Sequence, residues 1–267
     1  MRKYIFPASI IIMFFLTFLS YNDVIHADNG YGWGYKKNTD HEIPEVGKYK
    51  DILEKNGAYY ADDSGEKVLY LTFDNGYEQG YTDEILDVLK KEDVPATFFL
   101  TGHYVESKPD LVKRMVDEGH IVGNHSYHHP DFTTVSKESM KKELETLEEA
   151  VAEVSDQEEL KYLRPPKGVF SEKTLKWASE LGYIHIFWSL AFIDWNTDKQ
   201  KGWKYAYENI MEYMHPGAII LLHTVSSDNA EALDKMITDL KKQGYTFKSL
   251  DHLVMKNMLP QPVYGYY

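Results

Sequence analysis

From Lys67 onward, short runs rich in β-branched and aromatic residues alternate with longer runs of helical period. The β-type runs are KVLYLTF, ATFFLTG, HIVGNH, KYLR, YIHIFW, AIILLH and YTFKSL. Between them apolar residues recur at spacings of three and four. Leu233, Met236, Ile237 and Leu240 fit one helical face fully, and Ile85, Leu86, Val88 and Leu89 fit it well. Strands that alternate with helices pair in parallel and cross over with a right hand, because each helix carries the chain back over the sheet. Seven such units predict an α/β fold, a barrel that is incompletely closed rather than a short open sheet.

The rest of the 267-residue chain sorts around this unit. Arg2 and Lys3 precede an uncharged apolar run, Tyr4 to Leu19, and VIHA ends at Ala27. Residues 1–27 read as an export signal, with an uncleaved membrane anchor as the alternative; either places the remainder outside the cytoplasm, in the cell envelope. Residues 28–66, rich in Gly, Tyr and polar side chains, read as an extended arm with a short helix in YKDILEKN and a loop at DDSGE. The α/β domain is bounded at 67–259, and 260–267 is an irregular tail. A net charge of −13 argues against nucleic acid as partner, which needs a basic face. With no cysteine, any metal must be held by His, Asp or Glu.

In parallel α/β folds the carboxyl ends of the strands carry the site. Here those ends are Asp74, the segment NHSYHHPD, RPPKG, SLAFIDW and LLHT, so acids, histidines and an arginine would crowd one rim. Each also has a plain structural reading. Asp74 could cap a helix. Asn75-Gly76 is a hairpin signal, although YTDEILDVLKK beyond it has helical rather than alternating period. His125 and His129 could be loop residues, or, spaced by four, could reach one ion by the logic of helical metal sites. His128 faces away on that spacing. His103 and His120 read as structural, and His223 could be a core histidine.

Taken in order, TFDNG, HSYHH, RPPKG, the DW at 194–195 and LLHT resemble the motifs of the polysaccharide deacetylase (NodB-type) family over roughly residues 67–255. That resemblance implies a distorted (β/α)₇ barrel and hydrolytic N-deacetylation. Carried over by motif, Asp74 is the general base, His223 the general acid, Arg164 the partner that holds Asp74 and Asp194 the partner of His223. Trp195 and Tyr77 are substrate contacts. His125 and His129 fall on the ligands of a divalent, zinc-like ion. The family's third ligand is an aspartate; here it is Asn75, which implies a weakly bound metal. LTFDNGYE, RPPKGVFSE and HPGAIILLHTVSSDNAEAL closely resemble the branch of the family that acts on cortex peptidoglycan of spore-forming bacteria. That branch deacetylates N-acetylmuramic acid in glycan strands after an amidase has removed the peptide, leading to muramic δ-lactam. Lys167, inside RPPKG, would then face the free lactyl carboxylate, or be a solvated lysine. Two other readings are a deacetylase of another glycan (N-acetylglucosamine in peptidoglycan, chitin oligomers or xylan) and a non-catalytic sugar-binding barrel.

Overall fold

The computed structural model describes residues 30–258. The signal read at 1–27 and the tail at 260–267 lie outside those residues. The strands are β1 (Tyr31–Gly32), β2 (Val68–Asn75), β3 (Ala96–Leu100), β4 (Ile121–Asn124), β5 (Tyr162–Leu163), β6 (Val169–Phe170), β7 (Ile184–His185), β8 (Ile219–His223) and β9 (Thr246–Phe247). The helices are α1 (Tyr49–Lys55), α2 (Thr82–Lys91), α3 (Gly102–Ser107), α4 (Pro109–Asp117), α5 (Lys137–Val154), α6 (Glu172–Glu180), α7 (Trp203–Tyr213), α8 (Ser227–Lys242) and α9 (Leu250–Met258). Among the described residues no helix is long and apolar enough to cross a membrane.

Seven strands form one parallel sheet in the order β7-β5-β4-β3-β2-β8, with β9 paired to the first residues of β2. Each is one of the seven β-type runs. The sheet curls until its edges meet: beyond β7, Leu190 bridges Ile220 in parallel, and Leu221 N–H donates to Leu190 O at 2.9 Å. The expected distorted (β/α)₇ barrel is therefore present.

The central strand β2 is buried along its whole length, which requires apolar side chains on both faces. Alternation divides them. Leu69, Leu71 and Phe73 join Phe98, Leu100, Ile220 and Leu222 in the core beneath the helices. Val68 and Tyr70 join Phe99, Tyr162, Ile186 and Ile219 in a second cluster inside the curl. The apolar faces of α2 and α8 fill the outer core, with Ile85, Leu86, Leu89, Leu233, Met236, Ile237 and Leu240 buried as their spacing predicts. Serine caps start three of the helices: Ser136 for α5, Ser171 for α6 with a reciprocal bond from Thr174, and Ser226 for α8.

The N-terminal arm is extended as expected, but it is docked on the barrel. β1 pairs antiparallel with β6, Tyr31 opposite Phe170 and Gly32 opposite Val169. Trp33 N–H donates to Gly168 O at 2.8 Å and its indole Nε1 to Trp188 O at 3.0 Å. Its ring lies 4.8 Å from that of Phe187, within an aromatic cluster that also holds Tyr49, Tyr60 and Phe170.

Candidate active site

Asp74 and His223 are partners in the β2–β8 register, so the two groups stand side by side at the carboxyl end of adjacent strands. Both fall on the inward phase of their strands. Arg164, one residue past β5, reaches across from the opposite wall. It is fully buried, and its Nη1 donates to Asp74 Oδ1 at 2.8 Å. Its Nε donates to Ile186 O at 3.2 Å and its Nη2 to Phe187 O at 3.3 Å, and its guanidinium carbon lies 4.2 Å from the centre of the Phe99 ring. Burial alone would raise the Asp74 pKa; the Arg164 charge, aided by His223, outweighs it and holds the carboxyl below its usual range.

His223 is held from behind by Asp194. Asp194 Oδ1 lies 2.7 Å from His223 Nδ1, and Asp194 Oδ2 accepts the His223 backbone N–H at 2.8 Å. Because a carboxylate can only accept, His223 Nδ1 carries the proton and Nε2 is left for the cleft. Burial pushes the imidazole pKa down, but Asp194 and, more weakly, Asp74 raise it above the ordinary histidine value. Asp194 itself is positioned by a residue outside the predicted set: Asn229, in the first turn of α8, donates from Nδ2 to Asp194 Oδ2 at 2.6 Å and to His223 O at 3.1 Å. Trp195 is half exposed, its ring 5.5 Å from that of His223.

His125 and His129 are brought together by a tight loop, not by helical spacing. Ser126 and His129 both have left-handed backbones, φ 64° and 59°. The loop is pinned by Ser126 N–H to Asn124 Oδ1 and by His129 N–H to Ser126 Oγ, each at 2.9 Å. The side-chain nitrogens His125 Nε2 and His129 Nε2 end 3.2 Å apart. His125 Nδ1 donates to Arg164 O at 2.9 Å, so its Nε2 lone pair points at His129. Two nitrogens on one tetrahedral ion at 2.0–2.1 Å would be separated by about 3.3 Å, so this pair has the spacing of two metal ligands. Burial lowers both pKa values, that of His129 to about 4, which keeps both rings neutral and able to donate lone pairs at neutral pH. Asp74 Oδ2 is 3.6 Å from His125 Nε2.

Asn75 does not join them. It is the outward neighbour of Asp74 on β2, fully buried, and its Nδ2 donates to Thr224 Oγ1 at 2.9 Å while Oδ1 has no partner. Strand alternation puts the expected third ligand out of phase with Asp74, and its amide N–H is spent on Thr224. Among the described residues no group of three or more His, Cys, Asp or Glu converges as a metal site.

Asp74, His125, His129, Trp195 and His223 border an open cleft of about 1060 Å³ that also includes Tyr77, Gln79, Thr101, His103, Glu106 and Tyr127. Tyr77 is largely exposed, as a sugar contact would need to be, and its ring is 5.0 Å from that of His103, which is therefore a cleft residue and not a structural one. His128 borders the cleft too, but its Nδ1 is tied to Glu143 at 2.8 Å. His120 is structural as expected: Nδ1 accepts from Ala96 N–H at 3.3 Å. Lys167 is exposed, and its charge reaches His129, whose pKa it helps to lower. It has φ 59°, a backbone that a lysine adopts only at a cost. The neighbouring Gly168 leaves no room for a Cβ, which would stand 2.9 Å from the Trp188 ring. The loop's shape is thus set by Trp188 and by Trp33 of the arm.

The pattern of the polysaccharide deacetylase family matches residues 61–186. The chain is 54% identical over 231 residues, 86% of its length and 88% of the relative's, to the peptidoglycan-N-acetylmuramic acid deacetylase PdaA of Bacillus subtilis. It superposes on the solved structure of that family 4 carbohydrate esterase with a TM-score of 0.84, covering 86% of this chain and 99% of the other. A family 4 carbohydrate esterase of Bacillus anthracis gives 50% identity and a TM-score of 0.73, with 86% and 98% coverage. The peptidoglycan-N-acetylglucosamine deacetylase of Bacillus cereus is more distant, 34% identical over 202 residues, 74% of this chain and 72% of that one.

Proposed function

The chain belongs to the polysaccharide deacetylase family, and from that premise we propose that it hydrolyses the acetamido group of N-acetylmuramic acid residues in peptidoglycan. The observation that carries the chemistry is the pairing of Asp74 with His223 in one register, each fixed from behind by its own buried partner. Asp74 accepts a proton from water as the oxygen adds to the acetyl carbon. The C–N bond of the resulting adduct then breaks, and protonated His223 delivers its Nε2 proton to the departing nitrogen. The products are acetate and a free amino sugar. A pure sugar-binding barrel would need neither group placed in this way.

The two imidazoles of His125 and His129 are the residues that would hold a divalent ion, and such an ion, when bound, would polarise the acetyl carbonyl and acidify a water. With the Asn75 amide N–H spent on Thr224 and no second carboxylate in the set, the two imidazoles would hold such an ion weakly. Lys167 is exposed and its charge acts on His129 of the cleft, so a free lactyl carboxylate bound near His129 would be drawn to it. A cation so near the cleft supports peptide-free muramic acid as the substrate, supplied by an amidase that has cleaved the lactyl amide. The resulting amine beside a lactyl carboxyl is what closure to a δ-lactam in spore cortex requires. The basic start and apolar run within residues 1–27 support export to the cell envelope, with that segment as signal or anchor.

Acetate release should be measured on three substrates: peptide-stripped peptidoglycan, intact peptidoglycan and chitin oligomers. Release from the first alone is the expected result. Equal release from chitin oligomers would make the enzyme a general deacetylase, and no release from any would leave only the binding role.

A further inference from the structure

We propose that Asn229 is a positioning residue of the deacetylation reaction, acting through Asp194 on the proton that His223 delivers; this rests on the acid role of His223 given above. Asn229 is buried and does not border the cleft, so it has no access to substrate. Its amide nitrogen nevertheless spans the two parts of the acid assembly, bonding Asp194 Oδ2 at 2.6 Å and His223 O at 3.1 Å. Without it, Asp194 Oδ2 would keep a single donor, the His223 backbone N–H. The carboxylate could then rotate about that contact and loosen Oδ1 from Nδ1. The fixation also comes from a rigid element. Asn229 sits in the first turn of α8, whose cap Ser226 accepts the Asn229 backbone N–H at 3.3 Å. Gln200 ties the Asp194 segment to the same turn: Nε2 donates to Asp194 O at 3.1 Å, and Oε1 accepts from Ser226 Oγ at 2.8 Å.

The residue type matters. At this site a donor without charge is required. An aspartate would set a second carboxylate against Asp194, and a leucine would donate nothing. Asp194, Asp74, Arg164, His125 and His129 are the charged or titratable groups that act on His223, and of these Asp194 is the one Asn229 touches.

The test compares Asn229→Leu and Asn229→Asp with wild type, by kcat and KM for acetate release across pH and by thermal melting. A hydrogen bond to a charged group contributes roughly 1.5–3 kcal/mol, so Asn229→Leu should lower kcat by about 10- to 100-fold. KM should be unchanged, and the alkaline limb of the profile should move to lower pH as His223 loses part of its hold on the proton. Asn229→Asp regains a donor only when protonated. It should approach wild-type kcat at the acidic end and fall away as the pH rises. Wild-type kcat with an unmoved alkaline limb in the folded leucine variant would overturn the proposal. So would a pH-independent loss in Asn229→Asp, or a loss confined to KM.

Discussion

Asp74 and Asp194 are the same residue type, almost equally buried, and only one strand apart in their effects, yet they are held in opposite ways. Asp74 gives one oxygen to Arg164; the other has no hydrogen bond among the described residues and borders the cleft. Asp194 has both oxygens taken, one by His223 Nδ1 and the other by the His223 backbone and Asn229. The first partner is a cation at every working pH, so it fixes Asp74 as an ionised group with a vacant acceptor. The second partner titrates, so Asp194 fixes the proton on someone else. A carboxylate with a spare oxygen can act as a base; one with none can only orient and tune.

The comparison is broken most severely at Asp74. Asp74→Asn removes the acceptor and should lower acetate release by roughly 10²–10⁴-fold, the scale of one acid–base group. It also strands Arg164 in the interior. Breaking a buried pair from one side costs on the order of 3–5 kcal/mol, so the melting temperature should fall with the activity. Near-wild-type turnover would remove Asp74 from its role.

Asp194→Asn comes next and tests the tuning half. The amide cannot favour the imidazolium, so the His223 pKa should drop from its raised value and the alkaline limb should shift to lower pH, with kcat reduced by about 10²-fold. The acidic limb, set by Asp74 beside Arg164, should stay in place; movement of that limb instead would mean that the two carboxylates share one titration. The same shifts act on stability with opposite signs. The His223 contribution is complete below its unfolded value of 6.5 and is lost as pH rises through the raised folded value. The Asp74 contribution is complete above 3.8 and is lost as pH falls through the depressed one.

The smallest effect is expected at Lys167, which belongs to neither half. Lys167→Met should raise KM for peptide-free muramyl glycan by about 10-fold, the lower end for a bond to a charged group, and spare any slow turnover of a neutral acetylated sugar. Equal losses on both substrates would dispose of the ion pair with the lactyl group.

Much of this arrangement is legible in the sequence. The seven strands follow from alternation with helical runs, and the gathering of Asp74, Arg164, His125, Asp194 and His223 follows from where strands end. The phase of Asn75 is legible too. Neighbours in a strand point to opposite faces, so Asp74 and Asn75 cannot both look into the barrel while the strand remains regular. Asn229 could not be read, because its role depends on how the turn after β8 folds back on the 194 loop. The docking of the arm was hidden for a similar reason. Trp33 has no periodic context, and its indole partner, Trp188 O, lies 155 residues away.

The register of β8 against β2 also serves as a ruler. Neighbouring strands lie about 4.8 Å apart, so the distance between Asp74 and His223 is set by a backbone ladder and not by side-chain choice. Such a ruler has no intermediate marks. Sliding β8 by one residue would turn His223 to the helix side, and sliding it by two would carry it about 6.6 Å along the strand, beyond the reach of a shared amide. The spacing between the proton taken and the proton given is therefore all-or-none. A correctly registered barrel has it in full, and a slipped one retains none of it, however many of its side chains survive.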